Sequence, residues 1–132
     1  MRLLEQCESV RETVHIIDPA LEECARLAAA LAEDAICVRT WDSSEQFFEG
    51  CGTTASGCVL APADLPGAGV RGLIDEIRQR GLALAVVVIG RTHDLDTAVA
   101  LVRAGAADFL EPPLSDCRLR SAVRRAIGAS LA

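Results

Sequence analysis

Apolar residues follow two alternating periods along this chain. Short continuous runs, Val14-His15-Ile16-Ile17, Ala35-Ile36-Cys37-Val38, Cys58-Val59-Leu60-Ala61 and Leu84 to Ile89, read as strands. The last is β-branched throughout its centre, the pattern of a strand buried on both faces. Asp108-Phe109-Leu110 reads as a shorter fifth strand. Between the runs the apolar residues recur at helical spacing. Leu21, Cys24, Ala25, Ala28, Leu31 and Ala32 share a face, with Glu22, Glu23, Arg26 and Glu33 outward. Ser43 or Ser44 caps a short helix through Phe47-Phe48 that Gly50 closes. Val70 to Arg80 carries Leu73, Ile74 and Ile77 inward and ends at Gly81. Asp94 or Asp96 caps a helix to Ala104 whose inner face is expected to hold Leu95, Ala98, Val99 and Val102. Ser115 caps the last helix, with Leu119, Ala122, Val123, Ala126 and Ile127 inward. Pro19 suits a helix start, and Pro62 is expected to stop the third strand. The resulting βαβαβαβαβα order with short connections predicts an α/β fold, a doubly wound parallel sheet.

Composition narrows this picture. A length of 132 residues is one domain of ordinary size. Trp41, Phe47, Phe48 and Phe109 are the whole aromatic set, so the core is built from Ala, Val, Leu and Ile. A net charge of −6 argues against a phosphate-neutralising nucleic-acid surface, and Arg118, Arg120, Arg124 and Arg125 are too few to reverse that. The first thirteen residues lack the apolar core of a secretory signal, and no apolar run approaches the roughly 20 residues that span a bilayer, so a cytoplasmic domain is expected. Six cysteines, Cys7, Cys24, Cys37, Cys51, Cys58 and Cys117, form no CxxC pair, and no histidine sits at ligand spacing. They are expected to be small, mostly buried thiols rather than a metal or disulfide framework. A redox or metal role for Cys51 and Cys58 rests on spacing too loose to carry it.

Ligands of open α/β sheets bind outside the carboxyl ends of the strands. Here those ends read Asp18-Pro19, Ala61-Pro62, Ile89-Gly90 and Glu111-Pro112-Pro113. They carry one useful carboxylate and little else for a metal or a phosphate. The first strand leads into Asp18-Pro19-Ala20 rather than a glycine-rich turn, and no GxxxxGK[ST] occurs, so neither a dinucleotide site nor a P-loop is expected. Asp18 and Asp64 without a base, a nucleophile or a metal cluster do not make an enzyme site. No catalytic residue, metal or cofactor is expected. His15 reads as a sheet residue pairing locally, and His93 as an exposed loop residue.

Four stretches carry a family resemblance: Val14 to Asp18, Gly57-Cys58-Val59-Leu60, Asp64-Leu65-Pro66-Gly67, and Ala98 to Glu111 with its Ala-Gly-Ala turn and Asp-Phe-Leu strand before a proline junction. From about Thr13 to Gly128 the chain resembles the receiver domain of bacterial two-component response regulators, nearest the FixJ-like branch. The resemblance implies a flavodoxin-like or CheY-like (βα)5 fold, a five-stranded parallel sheet of order 2-1-3-4-5. It divides the chain into an extension over 1–12, a receiver-like domain over 13–128 and a tail or linker start over 129–132.

A working receiver of this family holds Mg2+ on two acids after the first strand and phosphorylates an aspartate after the third. A Thr or Ser after the fourth strand and a Lys before a proline after the fifth bind the transferred group. Carried over by position, this chain has Asp18 and Pro19 for the acids, Pro62 for the acceptor, Gly90 for the hydroxyl and Pro112 for the lysine. Pro113 keeps the family proline, with its cis bond expected. The expectation is a pseudo-receiver that aspartyl phosphorylation does not drive. Asp64, two residues past Pro62, is the weaker surrogate acceptor, since in-line attack tolerates misplacement of only about 1 Å.

The resemblance also implies a surface. The family's face of fourth helix, fifth strand and fifth helix here holds Asp96, Val99, Arg103, Asp108, Phe109, Glu111, Leu114, Arg118 and Arg124. The expected function is a dimerisation or protein-interaction module of a transcriptional regulator, its DNA-binding output domain outside this chain. A stand-alone adaptor for a kinase or another regulator is the alternative. Phe109 matches the family's switch aromatic and, without a hydroxyl at Gly90, is expected to hold one packed position.

Overall fold

The computed structural model describes residues 13–32, 37–52, 56–67, 69–90 and 95–131. Strands β1 (Thr13–Ile17), β2 (Cys37–Trp41), β3 (Ser56–Pro62), β4 (Ala83–Ile89) and β5 (Asp108–Leu110) alternate with helices α1 (Leu21–Leu31), α2 (Ser44–Gly50), α3 (Gly69–Arg80), α4 (Leu95–Ala104) and α5 (Asp116–Leu131). The strands form one sheet of order β2-β1-β3-β4-β5, and every neighbouring pair is parallel. The doubly wound fold expected from the sequence is the fold observed.

Two apolar layers hold it together, one on each sheet face. Val14, Ile16, Cys58, Leu60, Val87 and Ile89 pack under α1 and α5, against Leu27, Leu31, Leu119 and Val123. Ile17, Val59, Ala61, Val86 and Val88 pack on the other face against Phe47 of α2 and Val70, Leu73, Ile74 and Ile77 of α3. Side chains of successive strand residues point to opposite faces, so a continuous apolar run feeds both layers. Each fully buried Leu, Ile or Val contributes about 1.5–3 kcal/mol relative to exposure.

Several boundaries differ from expectation. β2 is paired over Cys37–Trp41, with Ile17 opposite Trp41. The register follows Trp41, whose ring joins His15 and Phe47. β3 takes in both Gly57 and Pro62, which end opposite Leu84 and Ile89. Pro62 is tolerated because it is the last strand residue, where the ladder already passes to Ala63 N–H and the Ile89 carbonyl at 2.8 Å. Asp96 lies within the first turn of α4 rather than capping it, and Asp94, Leu95's side chain and His93 lie outside the described residues, as do the first twelve. Val99 and Val102, expected inward, are exposed at 41% and 50%, while Leu101 faces the core and Ala104 is buried. Exposed Asp96 and Arg103, seven residues apart, mark the outward side, and Val99 stands on that side with them, so apolar periodicity alone does not orient the helix. Ser43 and Ser115 cap as expected, accepting from the Gln46 and Arg118 N–H groups at 3.0 and 3.1 Å. α5 continues through Gly128 to Leu131.

Cys24, Cys51, Cys58 and Cys117 are free thiols. Cys37 corrects the thiol expectation, being disulfide-bonded, with its partner outside the described residues. Spacing rules read pairs along the chain and do not register partners that folding brings together. Burial pushes the Cys58 thiol up to about 12, which keeps it protonated and unreactive.

Candidate functional site

The carboxyl ends of β1, β3 and β4 and the junction after β5 surround a partly enclosed cavity of about 190 Å³. Asp18 leaves β1 with its N–H donated to the Trp41 carbonyl at 3.0 Å. Its carboxylate turns back, and Oδ1 accepts from Ala20 N–H at 2.9 Å, setting the turn into α1. Cys24 Sγ donates to the Asp18 carbonyl at 3.3 Å. Asp18 is only 9% exposed. Burial raises its carboxyl above the ordinary value, the Ala20 hydrogen bond opposes this, and the charges of Glu23 and Asp64 add to the rise.

The cavity brings Asp18, Pro62 and Pro112 together. Leu27, Leu60 and Ile89 complete an apolar wall, and Glu23 of α1 adds a second carboxylate, which accepts from the Arg26 guanidinium, Nε to Oε1 at 3.2 Å. Pro19 is exposed and stands outside it. Gly90 also lies outside the lining. Its N–H donates to the Leu110 carbonyl at 2.9 Å, and a Cβ added there would stand 2.4 Å from Ala63 Cβ. Losing the side chain at position 90 therefore lets the segment after β3 close against the end of β4. The peptide bond between Pro112 and Pro113 is cis.

Glu23 and Leu27 escaped the sequence reading as site residues. Both belong to a periodic helix, and only the packing of α1 over β1 and β3 shows that its first turns wall the cavity. Among the described residues no group of three or more His, Cys, Asp and Glu side chains is arranged for a metal ion. One buried carboxylate flanked by prolines does not fit the near-octahedral oxygen shell of Mg2+.

His15 is 3% exposed and lies on the α2 face. Trp41 Nε1–H donates to its Nδ1 at 3.2 Å, and Phe47 packs edge-on at 5.1 Å. Burial, with a smaller contribution from Arg39, lowers its pKa from 6.5 to about 4. The local pairing expected of His15 is thus with Trp41.

On the expected interaction face, Asp96, Val99, Arg103, Glu111, Arg118 and Arg124 are exposed. Asp108 is half-buried and faces Arg125 at 3.4 Å. Leu114 packs partly on the α1–α5 layer, and Phe109 partly on the opposite one. Asp64 is exposed.

The family model of the response regulator receiver domain matches residues 14–124. The chain belongs to the response regulator receiver family. It is 32% identical over 117 residues to the transcriptional regulatory protein FixJ of Azorhizobium caulinodans, covering 89% of this chain and 56% of that protein. It is 32% identical over 123 residues to the tetrathionate response regulatory protein TtrR of Salmonella typhimurium, covering 91% and 58%. The chain therefore spans little more than half the length of these curated relatives. Its fold matches the beryllofluoride-activated NtrC4 receiver domain dimer with a TM-score of 0.82 at 22% identity, over 92% of this chain and 99% of that one. As a receiver domain it stands among the two-component response regulators, and FixJ is a transcriptional regulatory protein by name. No helix among the described residues is long and apolar enough to cross a membrane.

Proposed function

We propose that this receiver is a pseudo-receiver: aspartyl phosphorylation does not drive it, and it works as a regulatory protein-interaction module of a bacterial transcriptional regulator. One observation carries the reading. The cavity where a receiver would take up a phosphoryl group is walled by Pro62 and Pro112 and by aliphatic side chains. The proline side chain has no oxygen to form an acyl phosphate, and among the described residues no cation lines the cavity to meet transferred charge. The contact between Gly90 and Ala63 supports the same reading, because it takes the space a hydroxyl residue needs. The module has no enzymatic role in this reading and needs neither metal nor cofactor.

The output is a surface. Val99 and Val102 expose apolar side chains on α4, with Arg71, Asp96 and Arg103 around Val99. Exposed apolar residues rimmed by charge suit association, and a pairing of like faces would be two-fold. The NtrC4 receiver domain, which shares this fold, is a dimer. A DNA-binding output region elsewhere in the full protein is consistent with the share of its relatives that this chain spans.

The test combines two measurements. Incubation with acetyl phosphate and Mg2+ followed by intact-mass analysis is expected to leave the chain unmodified, and Asp64→Asn to change nothing. An acid-labile phosphoryl adduct would overturn the reading. Light scattering after size exclusion, without phosphodonor, is expected to show a dimer as concentration rises. A monomer throughout would move the function to docking on a kinase or another regulator as a stand-alone adaptor.

A further inference from the structure

We propose that the cavity at the carboxyl end of the sheet binds a small organic cation, an ammonium group on an apolar body about the size of one ring. The proposal deepens the pseudo-receiver reading and rests on it, since a phosphorylated site would have no room for such a ligand.

Size and wall chemistry give the body. The cavity holds about 190 Å³, and an apolar cavity of about 150 Å³ already admits benzene. Ile16, Leu27, Leu60, Ile89, Pro62 and Pro112 form its surface, which suits a ring or branched alkyl group and not a hydrated anion.

Charge gives the head group. Asp18 lines the cavity, is 9% exposed, and accepts one side-chain hydrogen bond, at Oδ1 from Ala20 N–H. Its Oδ2 accepts none among the described residues. Glu23 lines the same cavity with its carboxylate paired to the Arg26 guanidinium, and no Lys or Arg lines it among the described residues, so Asp18 is the acid that would meet the ligand. Among the described residues no buried side-chain oxygen lacks a hydrogen-bond partner, so Oδ2 of Asp18, a residue only 9% exposed, keeps the little solvent contact it has and is open to a donor that replaces that water. An ammonium ion supplies N–H donors and the compensating charge in one group, and such charge-assisted bonds are about twice as strong as neutral ones. The ligand would bridge α1, three strand ends and the proline junction, so its binding would stabilise the folded domain. It would thereby provide an input at the place where phosphorylation acts in other receivers.

Calorimetric titration of the whole chain with 2-phenylethylamine, beside the uncharged 2-phenylethanol, tests this, with amide spectra to locate the binding. Expected are saturable binding of the amine, shifts at Asp18, Leu27, Leu60 and Ile89, and roughly tenfold or greater preference over the alcohol. Asp18→Asn, which keeps an acceptor for Ala20 N–H, is expected to bring the amine down to the level of the alcohol. Leu27→Phe is expected to abolish both by filling the space. If that variant unfolds, Asp18→Asn decides. Equal affinity for amine and alcohol, shifts elsewhere, indifference to Asp18→Asn, or no binding each overturns the proposal. The parallel acetyl phosphate experiment keeps the two readings apart. An adduct overturns the underlying function, whereas an unmodified chain that ignores the amine overturns the ligand site alone.

Discussion

Gly90 shows how much one missing side chain can decide. A Cβ there would stand 2.4 Å from Ala63 Cβ, and Ala63 is held by its N–H on the Ile89 carbonyl. Gly90→Thr, which restores the family's hydroxyl, is therefore expected to lower stability by about 1–3 kcal/mol and still give no phosphoryl adduct. A urea melt of the variant checks the first part, and an unchanged midpoint would refute the clash. His15 makes a second prediction. Its pKa falls from 6.5 to about 4 in the folded chain, so below pH 6.5 the unfolded chain binds the extra proton. The stability linked to neutral His15 is fully present above pH 6.5 and is lost as pH falls toward 4, up to about 3 kcal/mol. His15→Leu is expected to flatten that part of the curve relative to wild type in urea unfolding across this range. Equal slopes would show that His15 does not couple to folding. Asp18 and Pro62 were legible as site residues because strand ends are readable. Trp41 as the partner of His15 was not, since the two meet only through the β1–β2 register.

Helix faces were read unevenly: α1 buries Cys24 and Leu31 as expected, but Leu21, Ala25 and Ala32 are exposed and Leu27 and Ala30 are buried in their place. α3 buries the expected Leu73, Ile74 and Ile77, and Val70 with them, and exposes Arg71, Arg78 and Arg80. α4 was misread because Val99 and Val102 are apolar yet stand on the exposed side with Asp96 and Arg103, and packing on the sheet selects the side that is buried. Its placement is reinforced by the Arg78 guanidinium, which donates to the Ala104 carbonyl at the end of α4. The outward position of Val102 predicts that Val102→Asp changes stability by no more than about 0.5 kcal/mol while abolishing any dimer. Denaturant melts and light scattering on the same sample check both. A large stability loss would return Val102 to the core and remove the proposed surface. The opposite helix, α5, is tied across the layer by Arg120 Nη1 donating to the Ala30 carbonyl at 3.0 Å, a contact that joins residues far apart in the chain.

At the scale of the whole molecule, the two apolar layers make a rigid receiver scaffold, and the carboxyl edge of the sheet carries the functional difference. If the module is set by assembly rather than phosphorylation, beryllofluoride with Mg2+ is expected to leave its sedimentation profile unchanged at every protein concentration. A shift toward dimer on adding it would restore phosphoryl-type activation. The acidic net charge of −6 adds that any self-association is expected to strengthen with moderate salt, which screens like-charge repulsion between copies.

Local chemistry reached far in this chain. The period of the apolar residues set the order of strands and helices, serine caps and glycine stops marked the ends of helices, and the residues at the strand ends named the site. These features depend on neighbours in the chain, within one or two turns or a few strand residues. Tertiary packing alone settled the rest: the cavity and its Glu23 and Leu27 wall, the buried His15–Trp41 bond, the outward face of α4 and the closure of Ala63 on Gly90. Each joins residues from separate elements, and their meeting depends on strand register and helix rotation, which are selected by the best burial of the whole apolar surface rather than by any one segment.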